Sequence, residues 1–185
     1  MSRVQLGVYG GSFDPPHIAH ALAASMALSV YGLDRLLIAP AYVHAFSKRL
    51  CDFDHRLRMC ELTFAHLRNV EICEIERELP APNYTLHTLQ ALATRHPDVQ
   101  LRLLIGSDIL TETHAWHDFA AVERLAPPLV IERQGFPAHD PSQPALPGVS
   151  SSEIRRRLQA GESTRGWLNP DVRRYIQTHG LYRNP

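Results

Sequence analysis

The chain has 185 residues, with 19 Lys and Arg balanced by 19 Asp and Glu. That length suits one globular domain with a proper core, and the balanced charge leaves no electrostatic footprint for nucleic acid or an anionic membrane. The opening MSRVQLGVYGG holds one basic residue and a short apolar run ended by glycines, which fits neither a signal peptide nor a membrane span, so a cytoplasmic protein is expected.

Short runs rich in Val, Ile and Leu recur along the chain: VQLGVYG (4–10), RLLIAP (35–40), VEICEI (70–75), LRLLIGS (101–107) and PLVIER (128–133). Each has strand length and nearly continuous apolar character, as in strands covered on both faces. The segments between them, about 17–31, 55–67, 85–96 and 115–125, repeat apolar residues at helical spacing. Strand and helix in alternation predict an α/β fold, a Rossmann-like doubly wound parallel sheet of about five strands. Its ligand cleft belongs at the carboxyl ends of the strands, near the switch point. Residues 134–149, with four prolines and two glycines, read as an irregular connection to a C-terminal helical extension. The expected organisation is one domain over 1–185, with an α/β core over 1–149 and helices over 150–185 that close the phosphate site.

The first strand runs into GGSFDPPHIAH. Gly10 and Gly11 allow close backbone approach to a ligand. Asp14 followed by Pro15 reads as a helix start, the carboxylate as N-cap and the proline at the first helical position. Free amides and the positive end of a helix dipole then make an anion site. His17 and His20, three apart, share one face; as a lone pair they would be ordinary capping or surface histidines, and the glycines and proline tip the reading towards function. The second anion candidate is VSSSEIRRRL, where Ser150 and Glu153 have capping-box spacing. Arg155, a turn later, adds a guanidinium fork suited to a polyphosphate.

The cysteines Cys51, Cys60 and Cys73 are odd in number and lack C-x-x-C spacing, so reduced, partly buried thiols are expected. The 11 histidines raise a metal-binding reading. It needs clustered ligands at fixed spacing, and only His17 and His20 have a spacing with meaning.

GGSFDPPHIAH resembles the G-x-F-D-P-x-H-x-G-H signature of the nucleotidyltransferase superfamily, and VSSSEIR its I-S-S-T-x-I-R motif. Within it, HRLRMCEL, NYTLHTL, LLIGSDIL, AWHDF, IERQGFP and YIQTHGLYR resemble successive segments of the bacterial nicotinate-nucleotide adenylyltransferase family. The resemblance implies adenylyl transfer from ATP to nicotinate mononucleotide, giving the dinucleotide and pyrophosphate, with Mg2+ carried by ATP. It implies catalytic roles for His17, His20 and Arg155, and ATP contacts from Gly10, Gly11, Ser12, Phe13, Gly106, Asp108, Arg133, Ser151 and Ser152. Gly106 would leave room for the sugar and Asp108 would bind its hydroxyls. His44, Lys48, Tyr84, Thr85 and Trp116 would form the acceptor side.

A phosphate monoester is already largely dianionic near neutral pH, its second pKa being about 6. It needs no serine nucleophile and no strong base; positioning and charge neutralisation suffice. Thr85 begins a helix, and free amides there favour a nicotinate carboxylate over a neutral amide. Two departures stand out: Ala19 replaces the glycine of H-x-G-H, and PAYVHAFSKRL lacks the paired prolines of the family's loop. The competing readings are the same chemistry on nicotinamide mononucleotide or a phosphomonoester such as phosphopantetheine, and a nucleotide-binding module without catalysis. Self-association stays open.

Overall fold

The computed structural model describes residues 3–43 and 50–183. Five parallel strands, β1 (Val4–Gly11), β2 (Arg35–Pro40), β3 (Val70–Ile72), β4 (Val99–Gly106) and β5 (Pro128–Ile131), form one sheet in the order β3-β2-β1-β4-β5. β1 lies between β2 and β4, so the chain winds outward on one side and then returns to build the other. The switch point is the gap between the carboxyl ends of β1 and β4, where two loops leave in opposite directions.

Alternation along the strands explains the layers. Leu6, Val8, Leu37, Leu101, Leu103 and Ile105 pack with Leu86, Leu89 and Leu92 of α3 (Thr85–Arg95) and Val122 of α4 (Phe119–Leu125). Leu36, Ile38, Leu104, Leu129 and Ile131 point to the other face, against the alanines of α1 (Ile18–Ser29) and Cys60 and Phe64 of α2 (Phe53–Phe64). Gly7 is required by packing, because a Cβ there would collide with Leu33 and Leu36. On the outer side of α2, Met59 joins Ile154 of α5 (Ser151–Gln159) with Leu168, and Val172 and Ile176 of α6 (Pro170–Thr178), in a separate apolar cluster.

Three elements differ from expectation. The third strand stops at Ile72 and Ile75–Glu78 forms a 3₁₀ turn; β3 is an edge strand with one neighbour, and burial of Ile75 under α3 draws the chain off the sheet. The fifth strand ends at Ile131, after which Arg133 bridges to Leu146. The fourth helix begins at Phe119 rather than 115: Asp118, with φ of 45°, breaks it from the preceding 3₁₀ turns and caps it through Ala121 N–H.

The irregular connection is held by a buried charge. Glu132, 3% exposed, accepts backbone N–H bonds from His139 and Asp140, while its carbonyl accepts from Leu146. No helix among the described residues is long and apolar enough to cross a membrane.

Candidate active site

The exit of β1 is a turn with one open position. A Cβ on Gly10 would meet nothing within 4 Å among the described residues, and the residue lines a pocket, so no packing among them calls for glycine there. A Cβ on Gly11 would press on the Phe13 ring at 3.3 Å. Phe13 takes φ of 46° and buries its ring against Tyr9, His20 and Phe64. Its side chain anchors the turn from below and does not line the pocket.

Helix α1 starts later than Asp14 and Pro15 suggest. His17 is the N-cap and His20 the third helical residue. The His17 N–H donates to His20 Nδ1 at 3.1 Å and the rings stack with centroids 3.8 Å apart. Because Nδ1 accepts, the proton of a neutral His20 sits on Nε2. His17 is 2% exposed, and its Nδ1 has no hydrogen-bond partner among the described residues. Burial, reinforced by the nearby Arg133 guanidinium, pushes the His17 imidazole down to about 3. Burial, then His17 and Arg133, holds His20 well below the usual histidine range. The ligand-free site therefore presents neutral imidazoles at pH 7, as polar donors and acceptors rather than cations.

Asp14 is a buried tie and not a cap. Its Oδ1 accepts from the Tyr182 hydroxyl at 2.7 Å and from Cys51 N–H at 3.3 Å, and Arg155 stands 3.6 Å from Oδ2. Arg155 also donates to the Asp14 carbonyl at 2.6 Å and to Ser152 Oγ at 3.2 Å. Ser150 caps α5 through Glu153 N–H, and Ser151 Oγ donates to the Pro15 carbonyl at 2.9 Å. The start of α5 thus docks on residues 14–15. Ser151, Ser152 and Arg155 are not among the pocket walls; Ser151 and Arg155 are bonded to that loop, and Ser152 Oγ to Arg155. From the other side Arg56, 1% exposed, donates to the carbonyls of Ser12 and Cys51. Arg56 and Tyr182 carry no local signal in the sequence beyond lying in HRLRMCEL and YIQTHGLYR.

Across the switch point Asp108 and Arg133 pair at 2.6 Å, and Arg133 also donates to the Val149 carbonyl. The Arg133 N–H is held by Ser107 Oγ. A Cβ on Gly106 would collide with the Asp108 carboxylate, so glycine there leaves room for that side chain, and both residues line the pocket.

At the third edge Tyr84 stands at the N-cap of α3 with no side-chain cap, followed by Thr85. Trp116 is half-buried, edge-on to Phe119 at 5.7 Å, and still reaches the pocket, so it serves as core aromatic and wall at once. Glu76 and Asn83, which sequence reasoning passed over, line the same pocket. Burial raises the Glu76 carboxyl above the usual range, opposed by bonds from Tyr42 N–H and the Thr88 hydroxyl.

One pocket of about 300 Å³ takes its walls from all three edges: Gly10, Gly11, Ser12, His17 and His20; Gly106, Asp108 and Arg133; Tyr84, Thr85 and Trp116. Its size and position are those of a small-molecule site at a switch point. His44 and Lys48 lie outside the described residues.

Residues 8–157 match the Cytidylyltransferase-like family model. A relative from Anaeromyxobacter sp. (strain K), "Probable nicotinate-nucleotide adenylyltransferase", is 43% identical over 182 residues and 97% of each chain. One of the same name from Thermus thermophilus is 34% identical, over 97% of this chain and all of its own length. The chain belongs to the nicotinate-nucleotide adenylyltransferase family. The fold is shared more widely. The Plasmodium falciparum nicotinic acid mononucleotide adenylyltransferase complexed with NaAD aligns with a TM-score of 0.82 at 19% identity, covering 96% of this chain and 97% of that one.

In this nicotinate-nucleotide adenylyltransferase-type nucleotidyltransferase, Ala19 is 5% exposed and its face of α1 borders the pocket between the two histidines. Among the described residues no group of three His, Cys, Asp or Glu side chains is placed to hold a metal ion. Asp14, Asp108 and Glu76 are each committed to protein partners. A divalent ion therefore has no cage of its own among these residues.

Proposed function

We propose that the chain transfers the adenylyl group of ATP to nicotinate mononucleotide, forming nicotinate adenine dinucleotide and releasing pyrophosphate. The observation that carries this reading is the continuity of the pocket: a phosphate-type turn and an uncapped helix start with an aromatic neighbour border the same cavity. ATP would lay its phosphates along Gly10, Gly11 and Ser12, against His17 and His20, with the nucleoside towards Gly106, Asp108 and Arg133. The pyridine ring would rest by Trp116 and Tyr84, its carboxylate towards the Thr85 end of α3. His44 and Lys48 would complete the acceptor side.

In such a complex a phosphate oxygen of the mononucleotide attacks the α-phosphorus in line, a P–O bond forms, and the bond to the β-phosphate oxygen breaks. The attacking oxygen carries its own charge, so no side chain has to remove a proton. The chain's contribution is orientation and hydrogen bonding of the non-bridging oxygens by imidazole N–H groups prepared in advance. Arg155 and the Ser151 hydroxyl would exchange loop carbonyls, and the Ser152 hydroxyl its bond from Arg155, for β- and γ-phosphate oxygens, the helices over 150–185 closing that end. Mg2+ bound to ATP would neutralise phosphate charge. The reaction belongs in the cytoplasm, where three reduced cysteines are at ease.

The test is pyrophosphate release with ATP and Mg2+ against nicotinate mononucleotide, nicotinamide mononucleotide and phosphopantetheine in parallel. Turnover confined to, or at least tenfold faster with, the nicotinate substrate is expected. ATP binding without turnover on any of the three would leave a binding module instead.

Gly10→Ala probes the phosphate end. The added methyl meets no atom within 4 Å among the described residues, and alanine lowers the entropy of the unfolded chain, so Tm should hold or rise. The KM for ATP should increase about tenfold, equivalent to about 1.4 kcal/mol of lost binding. An unchanged KM would place the phosphates elsewhere.

A further inference from the structure

Glu76 lies in the Ile75–Glu78 turn, outside both signature motifs, yet it is 7% exposed and lines the pocket. Burying a carboxylate is costly unless its lone pairs are used. Here they join two segments far apart in the fold. Oε2 accepts the Tyr42 N–H at 3.1 Å, and Oε1 accepts the Thr88 hydroxyl at 3.0 Å. The Glu76 carbonyl accepts from Asn83 Nδ2 at 2.9 Å, while Asn83 Oδ1 accepts the Val43 N–H at 2.8 Å and the Asn83 N–H donates to the Val43 carbonyl.

Tyr42 and Val43 are where the chain leaves β2, past the last ladder pair at Pro40. Their amides have no strand partner and must find acceptors elsewhere. Glu76 and Asn83 supply them. Thr88 sits on α3, whose cap Tyr84 and first residue Thr85 are pocket walls. A rigid hydrogen-bonded bridge therefore runs from the β2 exit through the 3₁₀ turn to α3, while the phosphate turn is tied separately by Arg56, Tyr182 and α5.

The geometry points to Glu76 as a positioning residue that sets the spacing between the β2 exit and the first turn of α3, and with it the fit of the phosphomonoester acceptor. Asn83 is its second tie. This rests on the reading of Tyr84, Thr85 and Trp116 as the acceptor side. Hydrogen-bond geometry, not charge, does the positioning: a glutamine at 76 can accept the Tyr42 N–H with Oε1 and donate Nε2–H to Thr88 Oγ, whose own proton turns to the Tyr84 carbonyl 3.4 Å away.

The experiment compares full-length wild type, Glu76→Ala and Glu76→Gln by steady-state kinetics with ATP and nicotinate mononucleotide, and by hydrogen exchange of peptides covering 41–43. Glu76→Ala should raise the acceptor KM about tenfold with the ATP KM within twofold, and speed exchange at 41–43; Glu76→Gln should restore both. A KM that is unchanged, or raised equally for the two substrates, overturns the proposal, and so does a glutamine variant no better than alanine. If Glu76→Ala fails to fold, Thr88→Val carries the test: about a threefold rise in acceptor KM is expected, and none overturns it. Absence of turnover in the wild type is a failure of the proposed reaction alone. The exchange comparison then still decides the bridge, since unaltered exchange in Glu76→Ala or Thr88→Val would refute it.

Discussion

Replacing His20 by alanine is expected to lower kcat by roughly 10²–10³-fold, the range for loss of one preorganised donor to a developing oxyanion. The argument starts from its position as the third residue of α1. The His17 N–H occupies Nδ1, so the ring presents Nε2–H to the pocket with its tautomer already chosen. Stacking on His17 and the edge contact with Phe13 hold the plane. A donor fixed in this way costs little reorganisation when charge moves onto the phosphoryl oxygens. Alanine is a good helix residue, so α1 should persist. His20→Asn is the informative companion: its Oδ1 can take the His17 N–H and its amide can still donate, so kcat should recover by about tenfold over alanine. Circular dichroism melts establish that both variants fold, and a His20→Ala kcat within threefold of wild type would remove His20 from the chemistry.

Acid should destabilise the ligand-free protein through the same pair. The His17 imidazole is held at about 3 in the folded chain, against about 6.5 unfolded. Between these values the unfolded state binds the extra proton and the native state does not, so stability falls as pH falls. The contribution of His17 is complete above pH 6.5, is lost progressively below it, and levels off near pH 3. At pH 5.5 the loss from His17 alone is about 1.4 kcal/mol relative to pH 7.5, and His20, shifted in the same direction, adds to it. Urea unfolding at pH 7.5 and 5.5 measures the difference. His17→Asn, which does not titrate, should shrink it by about that 1.4 kcal/mol. An equal pH dependence in wild type and variant would mean that the buried ring is not held neutral.

Local spacing made part of this site readable. Gly10 and Gly11 after an apolar strand, histidines three apart, and Ser150 three before Glu153 each state a relation within one turn of chain, and each such relation survives folding. The parallel sheet was legible for a similar reason, since strand and helix periods are properties of neighbours in sequence. The failures have a common cause. Asp14 before Pro15 satisfies the local rule for a helix cap, yet its carboxylate is claimed by Tyr182, 168 residues away, and by Arg155. Nor does the sequence say where Asp108 will point, and it is the Asp108 carboxylate that a Cβ on Gly106 would meet.

Read along the chain, the residues dictate the alternation of elements, the place of the glycine turn at the end of β1, and the family to which the chain belongs. Which polar groups are spent on holding the site, and which are left to act, is settled by packing. Glu76, Arg56 and Tyr182 hold; His17 Nδ1 is left without a partner among the described residues. Hydrophobic periodicity is set along the chain, whereas a buried donor must be matched by whatever acceptor the packed elements bring within about 3 Å. That match depends on the crossing of distant segments, and no local pattern encodes it.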